Sequence, residues 1–275
     1  MPAVQVPHGE IFYERTGVAG DPAALVHGSW TDHHGWDAVA PGFALGLEVL
    51  TYDRRGHGLS RGEVRSHPVR DDADDLAALL EATDFHPVHL VAHAYGGMVA
   101  LRLAVDRPEL VRSACLHEPP WTGLVDDDPA SRAEIERIVA GVRAIAPLAK
   151  SDGVDRTIPR ILALVSGVGE WDRIPASGRA AILAGSGDWL GEFGDTAASH
   201  PDPQELREVQ VPVLVTVGEE SPGYMQRICD RITRALPNAT LVRLPTAGHF
   251  PQLTHPDLLV GVLGTFLLDR NVPST

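Results

Sequence analysis

A short segment around residue 94 has the residue types of a sharp turn between a strand and a helix. The apolar run before it ends at Val91, and small residues at positions 92, 96 and 97 let the chain reverse and the helix pack close to the strand. Such a turn holds the side chain of Ala94 above the sheet and sets the backbone N–H of Tyr95 at a helix N-terminus. Taken alone, the segment is equally consistent with a tight turn that performs no chemistry.

Three further polar segments each follow a predicted strand. They are His27-Gly28-Ser29-Trp30, Asp53-Arg54-Arg55-Gly56-His57-Gly58 and Ala247-Gly248-His249-Phe250-Pro251. A histidine in such a loop can act as a general base. Backbone N–H groups beside it can stabilise a developing oxyanion, so these segments point to acyl-transfer chemistry.

The elements that would position these segments alternate between strands and helices. A hairpin is predicted at 3–14, and strands at 23–26, 47–52, 110–117, 212–217 and 240–244, with a strand, turn and helix over 86–107. Helices are predicted at 71–84, around Ile228, Ile232 and Leu236, and from Pro256 onward. This alternation predicts a parallel sheet with helices on both faces.

The alternation is interrupted between residues 119 and 205. Proline, glycine and acidic residues there separate three helical stretches, near 131–146, 155–166 and 177–190. We therefore predict a core domain made of residues 1–120 and 206–275, with a helical cap inserted at 121–205.

The four motifs, in this order, resemble the α/β-hydrolase superfamily over nearly the whole chain. The segment at 91–97 is similar to the nucleophile elbow G-x-S-x-G, with Ala92 for the first glycine and Ala94 for the serine. The resemblance implies an α/β-hydrolase fold, with a mostly parallel central sheet, helices on both faces and an inserted helical cap. It also implies that His249 is the catalytic histidine and that the N–H groups of Ser29 and Tyr95 are the oxyanion donors.

The acid partner of His249 is less direct to assign. The usual position in the superfamily falls on Ser221, which has no charge to stabilise an imidazolium. Branches such as the zearalenone lactone hydrolases place the acid after an earlier strand, and Glu118, just before proline at the end of the strand 110–117, resembles that arrangement. The resemblance favours Glu118 as the acid, with Glu219 and Glu220 as alternatives.

Alanine at position 94 admits two explanations, because a methyl group cannot attack a carbonyl. The first is an introduced serine-to-alanine change, of the kind used to trap an intact ester, in an otherwise complete hydrolase. The second is a native alanine in a protein that binds a ligand without turnover or that uses His249 as a general base. The retained histidine loop and acid favour the first explanation.

Three functions follow from these alternatives. The first is a serine-type carboxylic ester or lactone hydrolase, inactivated in this chain at Ala94. The second is a non-hydrolytic enzyme on the same scaffold (a lyase, cyclase or cofactor-free oxygenase) with His249 as the base. The third is a catalytically silent ligand-binding protein. An epoxide hydrolase or dehalogenase would require aspartate at position 94.

The predicted substrate pocket lies under the cap. We predict that Trp30, Trp121, Trp189 and Phe250 contact the substrate. Most of the five tryptophans fall in the cap or in loops, which favours a bulky ester or lactone, larger than acetate and partly aromatic or polyketide-like.

The amino-acid composition argues against two classes of binding partner. The net charge of −14 and the absence of a Lys/Arg-rich run disfavour nucleic acid and anionic membrane surfaces. No apolar stretch approaches the ~20 residues of a membrane span and no signal peptide is visible, so we predict a cytoplasmic protein. The histidines lack metal-site spacing and no phosphate-binding glycine loop occurs, so neither a metal nor a cofactor is predicted. The sequence does not indicate the oligomeric state.

Overall fold

The computed structural model of the protein describes residues 2–7, 9–17, 20–62, 69–186 and 202–268. Within these ranges one sheet of nine strands forms the centre of the molecule. The strands are β1 (Ala3–Val6), β2 (Gly9–Gly17), β3 (Asp21–Val26), β4 (Leu47–Tyr52), β5 (Arg61–Gly62), β6 (Val88–His93), β7 (Val111–His117), β8 (Val213–Gly218) and β9 (Ala239–Leu244).

The strand order is β1-β2-β4-β3-β6-β7-β8-β9, with β5 paired to β2. All neighbours from β4 to β9 in this order are parallel, and β1, β2 and β5 form the antiparallel end. The predicted N-terminal hairpin is confirmed, with Val6 opposite Gly9. The carboxyl ends of β3, β6 and β7 therefore lie side by side, where open α/β sheets bind their ligands.

The described helices are α1 (Ala40–Phe43), α2 (Val69–Ala82), α3 (Tyr95–Asp106), α4 (Pro129–Ile145), α5 (Ala149–Asp152), α6 (Val154–Val165), α7 (Glu170–Arg173), α8 (Ala176–Ala184), α9 (Gly223–Ala235), α10 (Pro251–Thr254) and α11 (Pro256–Leu267). Short 3-10 helices lie at His33–Trp36, Pro108–Leu110, Thr122–Val125, Ala146–Leu148 and Glu205–Glu208. The helix predicted at 71–84 begins two residues earlier than expected, at Val69.

The central strands are buried on both faces because helices cover both sides of the sheet. Every residue of β6 is buried, and its side chains alternate between two cores: Leu90 packs with residues of α2, α3 and α9, whereas Val91 packs with residues of α1 and α11. This alternation is the period of two that a strand imposes on its side chains.

Helices α4 to α8 lie between β7 and β8, in the segment predicted as the cap, and we call described residues 121–186 and 202–205 the cap. Its helices share a small core that includes Val142, Ile158 and Ile182, and this core also contains Trp30 and Phe250 from the sheet side. The third predicted cap helix, 177–190, is observed as α8 and ends at Ala184; residues 187–190 lie outside the described ranges. Among the described helices, none is long and apolar enough to cross a bilayer.

Candidate active site

Strand β6 passes into α3 through one residue, Ala94, whose backbone lies at φ 48° and ψ −120°. A non-glycine residue in such a sparsely populated region costs about 1–3 kcal/mol. The Ala94 N–H donates to the His117 carbonyl at 2.8 Å, and the Ala94 carbonyl accepts from the Gly97 N–H at 2.8 Å. The peptide groups before and after Ala94 are therefore both fixed, and the turn has the geometry of a nucleophile elbow.

Two glycines let the loop after β3 approach this turn. A Cβ atom on Gly96 would lie 2.4 Å from the carbonyl oxygen of Val26, so only glycine fits there. A Cβ atom on Gly28 would lie 3.1 Å from the Cβ of Ala94. As a result Ser29 and Tyr95 lie with Ala94 on the wall of one cavity.

The imidazole of His249 is paired with the carboxylate of Glu118. His249 Nδ1 lies 2.6 Å from Glu118 Oε2, and the Glu118 side chain is completely buried. His249 follows β9 and Glu118 follows β7, so the topology of the sheet brings together two residues that are 131 positions apart. His249 also lies on the same cavity as Ala94.

The environment of Glu118 favours its charged form. Burial acts to raise the pKa of Glu118, but the neighbouring His117 and His249, with hydrogen bonds from His249 and Ser221, outweigh burial and lower that pKa to about 2. Glu118 Oε1 accepts from the Gly218 N–H at 2.8 Å and from the Ser221 hydroxyl at 2.5 Å. The carboxylate can therefore stabilise an imidazolium at His249 without itself taking up the proton.

Two more histidines surround this pair. His93 Nε2–H donates to the carbonyl oxygen of His249 at 2.7 Å, and burial is the largest cause that holds the pKa of His93 well below its usual value. His117 Nε2 lies 3.6 Å from Glu118 Oε1, and burial lowers the pKa of His117 to about 4. Burial therefore disfavours the charged form of both rings, and the His93 bond fixes the carbonyl of His249.

The cap also contacts the histidine loop. Glu170, at the start of α7, is buried, and its Oε1 accepts from the backbone N–H of Phe250 at 3.0 Å. Its other carboxylate oxygen lies 3.3 Å from the Arg173 guanidinium. Together with the His93 bond, this contact fixes both the carbonyl and the N–H of the peptide group between His249 and Phe250.

A buried charged network lies behind the Tyr95 side of the cavity. Asp72 Oδ2 accepts from the Tyr95 hydroxyl at 3.0 Å and from Arg54 Nη1 at 3.1 Å. The Arg54 guanidinium stacks over the Tyr95 ring, 4.4 Å from its centroid. Arg54, which follows β4, and Asp72 of α2 thereby anchor the side chain of Tyr95, the first residue of α3.

Two groups of side chains in the described part of the chain bring together the residue types of a metal site, namely His117 with Glu118 and His249, and Asp32 with His33 and Asp53. In each group a histidine nitrogen is already bonded to a carboxylate: His249 to Glu118 at 2.6 Å, and His33 to Asp53 at 2.7 Å. The first group serves the proposed acid–base pair, and the second ties the loop after β3 to β4.

The cavity between the cap and the carboxyl edge of the sheet has a volume of about 150 Å³. Its described lining combines aliphatic, aromatic and hydroxyl-bearing side chains, and comprises Ser29, Trp30, Ala94, Tyr95, Pro120, Thr122, Ile135, Ile138, Val139, Val165, Ser166, Tyr224, Met225 and His249.

The residues predicted to contact the substrate lie in different parts of the structure. Trp30 lines the cavity. Trp121 and Phe250 are almost fully buried in the main core and in the cap core, respectively, because both rings pack between elements, and neither is among the described lining residues. Trp189 lies outside the described residues.

The alternative acids lie apart from His249. Glu219 and Glu220 are exposed, and Glu220 pairs with Arg173 at 3.0 Å. Ser221, at the usual acid position, donates instead to Glu118. Sequence reasoning missed Glu170 and His117, because their importance comes from contacts between distant segments and no local motif marks them.

The model of the alpha/beta hydrolase family matches residues 24–262 of this chain. Among curated proteins, the uncharacterized hydrolase YraK of Bacillus subtilis is 32% identical over 133 residues, which are 48% of this chain and 49% of that protein. The pimeloyl-[acyl-carrier protein] methyl ester esterase of Neisseria meningitidis is 27% identical over 256 residues, covering 88% of this chain and 91% of the esterase.

Solved structures show the same fold. The structure of Est816, an N-acyl homoserine lactone degrading enzyme, aligns with a TM-score of 0.71 over 96% of this chain and 100% of that chain, at 23% identity. At this level of identity the likeness concerns the fold alone.

Proposed function

The chain belongs to the alpha/beta hydrolase family, and we propose that its site binds the carbonyl group of a carboxylic ester or lactone, with Ala94 at the position of the nucleophile. The observation that carries this proposal is the contact of 2.6 Å between His249 Nδ1 and Glu118 Oε2, beside the cavity that Ala94 lines. A carboxylate there fixes the tautomer of the histidine that leaves Nε2 free to accept a proton.

The proposed mechanism in an Ala94→Ser protein follows from these contacts. His249 takes the proton of the serine hydroxyl as the oxygen attacks the carbonyl carbon, and Glu118 stabilises the imidazolium. The N–H groups of Ser29 and Tyr95 stabilise the oxyanion, each by about 3 kcal/mol. His249 then protonates the leaving alcohol, and afterwards it activates the water that hydrolyses the acyl-enzyme.

The chain with Ala94 lacks this nucleophile. Loss of a serine nucleophile lowers turnover by about 10⁶-fold, so the proposed role of this chain is to bind an ester or lactone without forming an acyl-enzyme. Whether the alanine is introduced or native does not alter this chemistry.

The test is to compare Ala94→Ser with the unaltered chain on 4-nitrophenyl butyrate and hexanoate and on δ-lactones. We expect ester hydrolysis by Ala94→Ser, and loss of that hydrolysis when His249→Gln is added. If a folded Ala94→Ser protein, verified by circular dichroism, hydrolyses none of these compounds, the proposal is wrong.

A second candidate is general-base catalysis by His249 without a covalent intermediate. The observation that favours it is that Glu118 keeps its bonds to His249, Gly218 and Ser221, although residue 94 offers no proton to remove. His249 would then take a proton from water or from a carbon next to the carbonyl. Turnover by the unaltered chain that disappears in His249→Gln would select this mechanism, whereas binding without turnover in both proteins would indicate a ligand-binding protein.

A further inference from the structure

The hydroxyl group of Ser166 on the cavity wall is buried and has no hydrogen-bond partner among the described residues. Ser166 directly follows α6 in the cap, is 2% exposed and lines the cavity. Its backbone N–H donates to the Leu162 carbonyl at 2.8 Å, but among the described residues its Oγ finds neither donor nor acceptor. A buried polar group without a partner destabilises the folded protein, so such a group in a native protein requires an explanation.

Two tyrosine hydroxyl groups on the same wall already have hydrogen-bond partners. The Tyr224 hydroxyl donates to the carbonyl of Val165 at 2.7 Å, and the Tyr95 hydroxyl donates to Asp72 at 3.0 Å. The Tyr224 bond also fixes the end of α6 against α9, so Ser166 is held on a rigid part of the wall. The position of its hydroxyl is therefore set before a ligand binds.

The surroundings of Ser166 are apolar. The aliphatic side chains of the described wall come from the cap and from α9, and are Ile135, Ile138, Val139, Val165 and Met225. These side chains cannot form hydrogen bonds, so they select a hydrocarbon body. A cavity of about 150 Å³ resembles in size the engineered apolar cavity that holds benzene, which corresponds to a body of about six carbon atoms.

We propose that Ser166 is a specificity-determining residue that forms a hydrogen bond to a second polar group of the ligand. The ligand is then an aliphatic ester or lactone of medium size that has a hydroxyl or carbonyl group besides the ester. This inference rests on the proposed function, because the ester carbonyl is taken to lie at Ala94 and His249. A ligand without the second group would leave the Ser166 hydroxyl unpaired and would bind more weakly.

The test measures binding, not turnover, on the protein with Ala94. Methyl hexanoate, methyl 3-hydroxyhexanoate and methyl 6-hydroxyhexanoate are titrated into the unaltered chain and into Ser166→Ala, with isothermal calorimetry as the readout. Ser186→Ala is the matched control, because Ser186 is also a buried cap serine but donates to the Leu183 carbonyl at 2.8 Å.

We expect the unaltered chain and Ser186→Ala to bind one of the two hydroxylated esters about threefold to tenfold more tightly than methyl hexanoate, as one neutral hydrogen bond predicts. Ser166→Ala should lose this preference and bind methyl hexanoate at least as well as before. Equal preferences in Ser166→Ala and the unaltered chain would overturn the proposal, and so would the absence of saturable binding of all three esters at millimolar concentration. Since no turnover is involved, a hydrolytically inactive Ala94→Ser protein would contradict the proposed function without affecting this result.

Discussion

The carboxylate of Glu170 accepts a hydrogen bond of 3.0 Å from the backbone N–H of Phe250, the residue that follows His249. Glu170 belongs to the cap and Phe250 to the loop after β9, so this bond connects the roof of the cavity to the proposed base. A Cβ atom added to Gly248 would lie 2.3 Å from a Glu170 oxygen, so the loop and the carboxylate pack in direct contact.

The Glu170 bond should matter for the position of His249. In the Ala94→Ser background, we expect Glu170→Ala to lower kcat about tenfold with a smaller change in KM, because the Phe250 N–H loses its partner and the imidazole loses its fixed orientation. Glu170→Gln keeps an acceptor oxygen and should retain most of kcat. Steady-state kinetics on a 4-nitrophenyl ester separate the two variants, and equal kcat values in both would show that the bond has no positioning role.

The ionisation of Glu118 predicts an acid-sensitive contribution to stability. Its pKa of about 2 in the folded protein is below the ordinary value of 4.5, so the unfolded chain binds the proton more readily. The stabilisation is therefore present above about pH 5 and disappears as the pH falls toward 2, with a total of about 3 kcal/mol.

Urea unfolding at several pH values between 5 and 3 measures this contribution. The free energy of unfolding should fall more steeply with decreasing pH in the unaltered protein than in Glu118→Gln, which has no carboxylate to protonate at that position. Parallel curves for the two proteins would contradict the pKa shift.

The backbone of Ala94 should be a source of instability. Because its φ of 48° with ψ of −120° suits glycine, Ala94→Gly should raise the free energy of unfolding by about 1 kcal/mol, after the entropic cost of glycine in the unfolded chain. Ala92→Gly is the control, since Ala92 lies in regular β6 and should lose stability on the same change. A loss of stability in Ala94→Gly similar to that in Ala92→Gly would show that the turn is unstrained.

Gly96 packs closely against the end of β3, so replacing this glycine with alanine should destabilise the protein. Gly96→Ala should destabilise the protein by several kcal/mol, because the added methyl group would meet the Val26 carbonyl at 2.4 Å and the backbone there cannot move aside. Gly261→Ala in α11 meets nothing within 4 Å and should stabilise the helix by about 0.5–1 kcal/mol. Thermal unfolding of both variants checks the pair, and a tolerated Gly96→Ala would refute the close packing.

The sequence predicts those parts of the fold that are determined locally. The strand, turn and helix at 88–106 follow from an apolar run, small residues and helical spacing, and the motifs after β3, β6 and β9 follow strands in the order that the fold requires. Glu118 could be considered as an acid because it directly follows β7.

The sequence could not predict contacts whose partners are distant or belong to the backbone. Glu170 bonds to a main-chain N–H 80 residues away, and nothing in its own segment distinguishes it from the exposed acids of the cap. The sequence predicts Trp121 at the substrate, but an aromatic side chain favours any well-packed apolar site, and Trp121 packs in the main core. The unpartnered Ser166 hydroxyl becomes visible only when the cavity and its neighbours are known.

The cap is inserted between β7 and β8, so in a redesign it could be exchanged as one segment. Glu170 lies within the cap, however. Replacing the cap would therefore change the roof of the cavity and also remove the acceptor for the Phe250 N–H. A chimera with a cap from another protein would therefore bind that protein's ligand beside a correctly oriented His249 only if the new cap also supplies an acceptor oxygen for the Phe250 N–H.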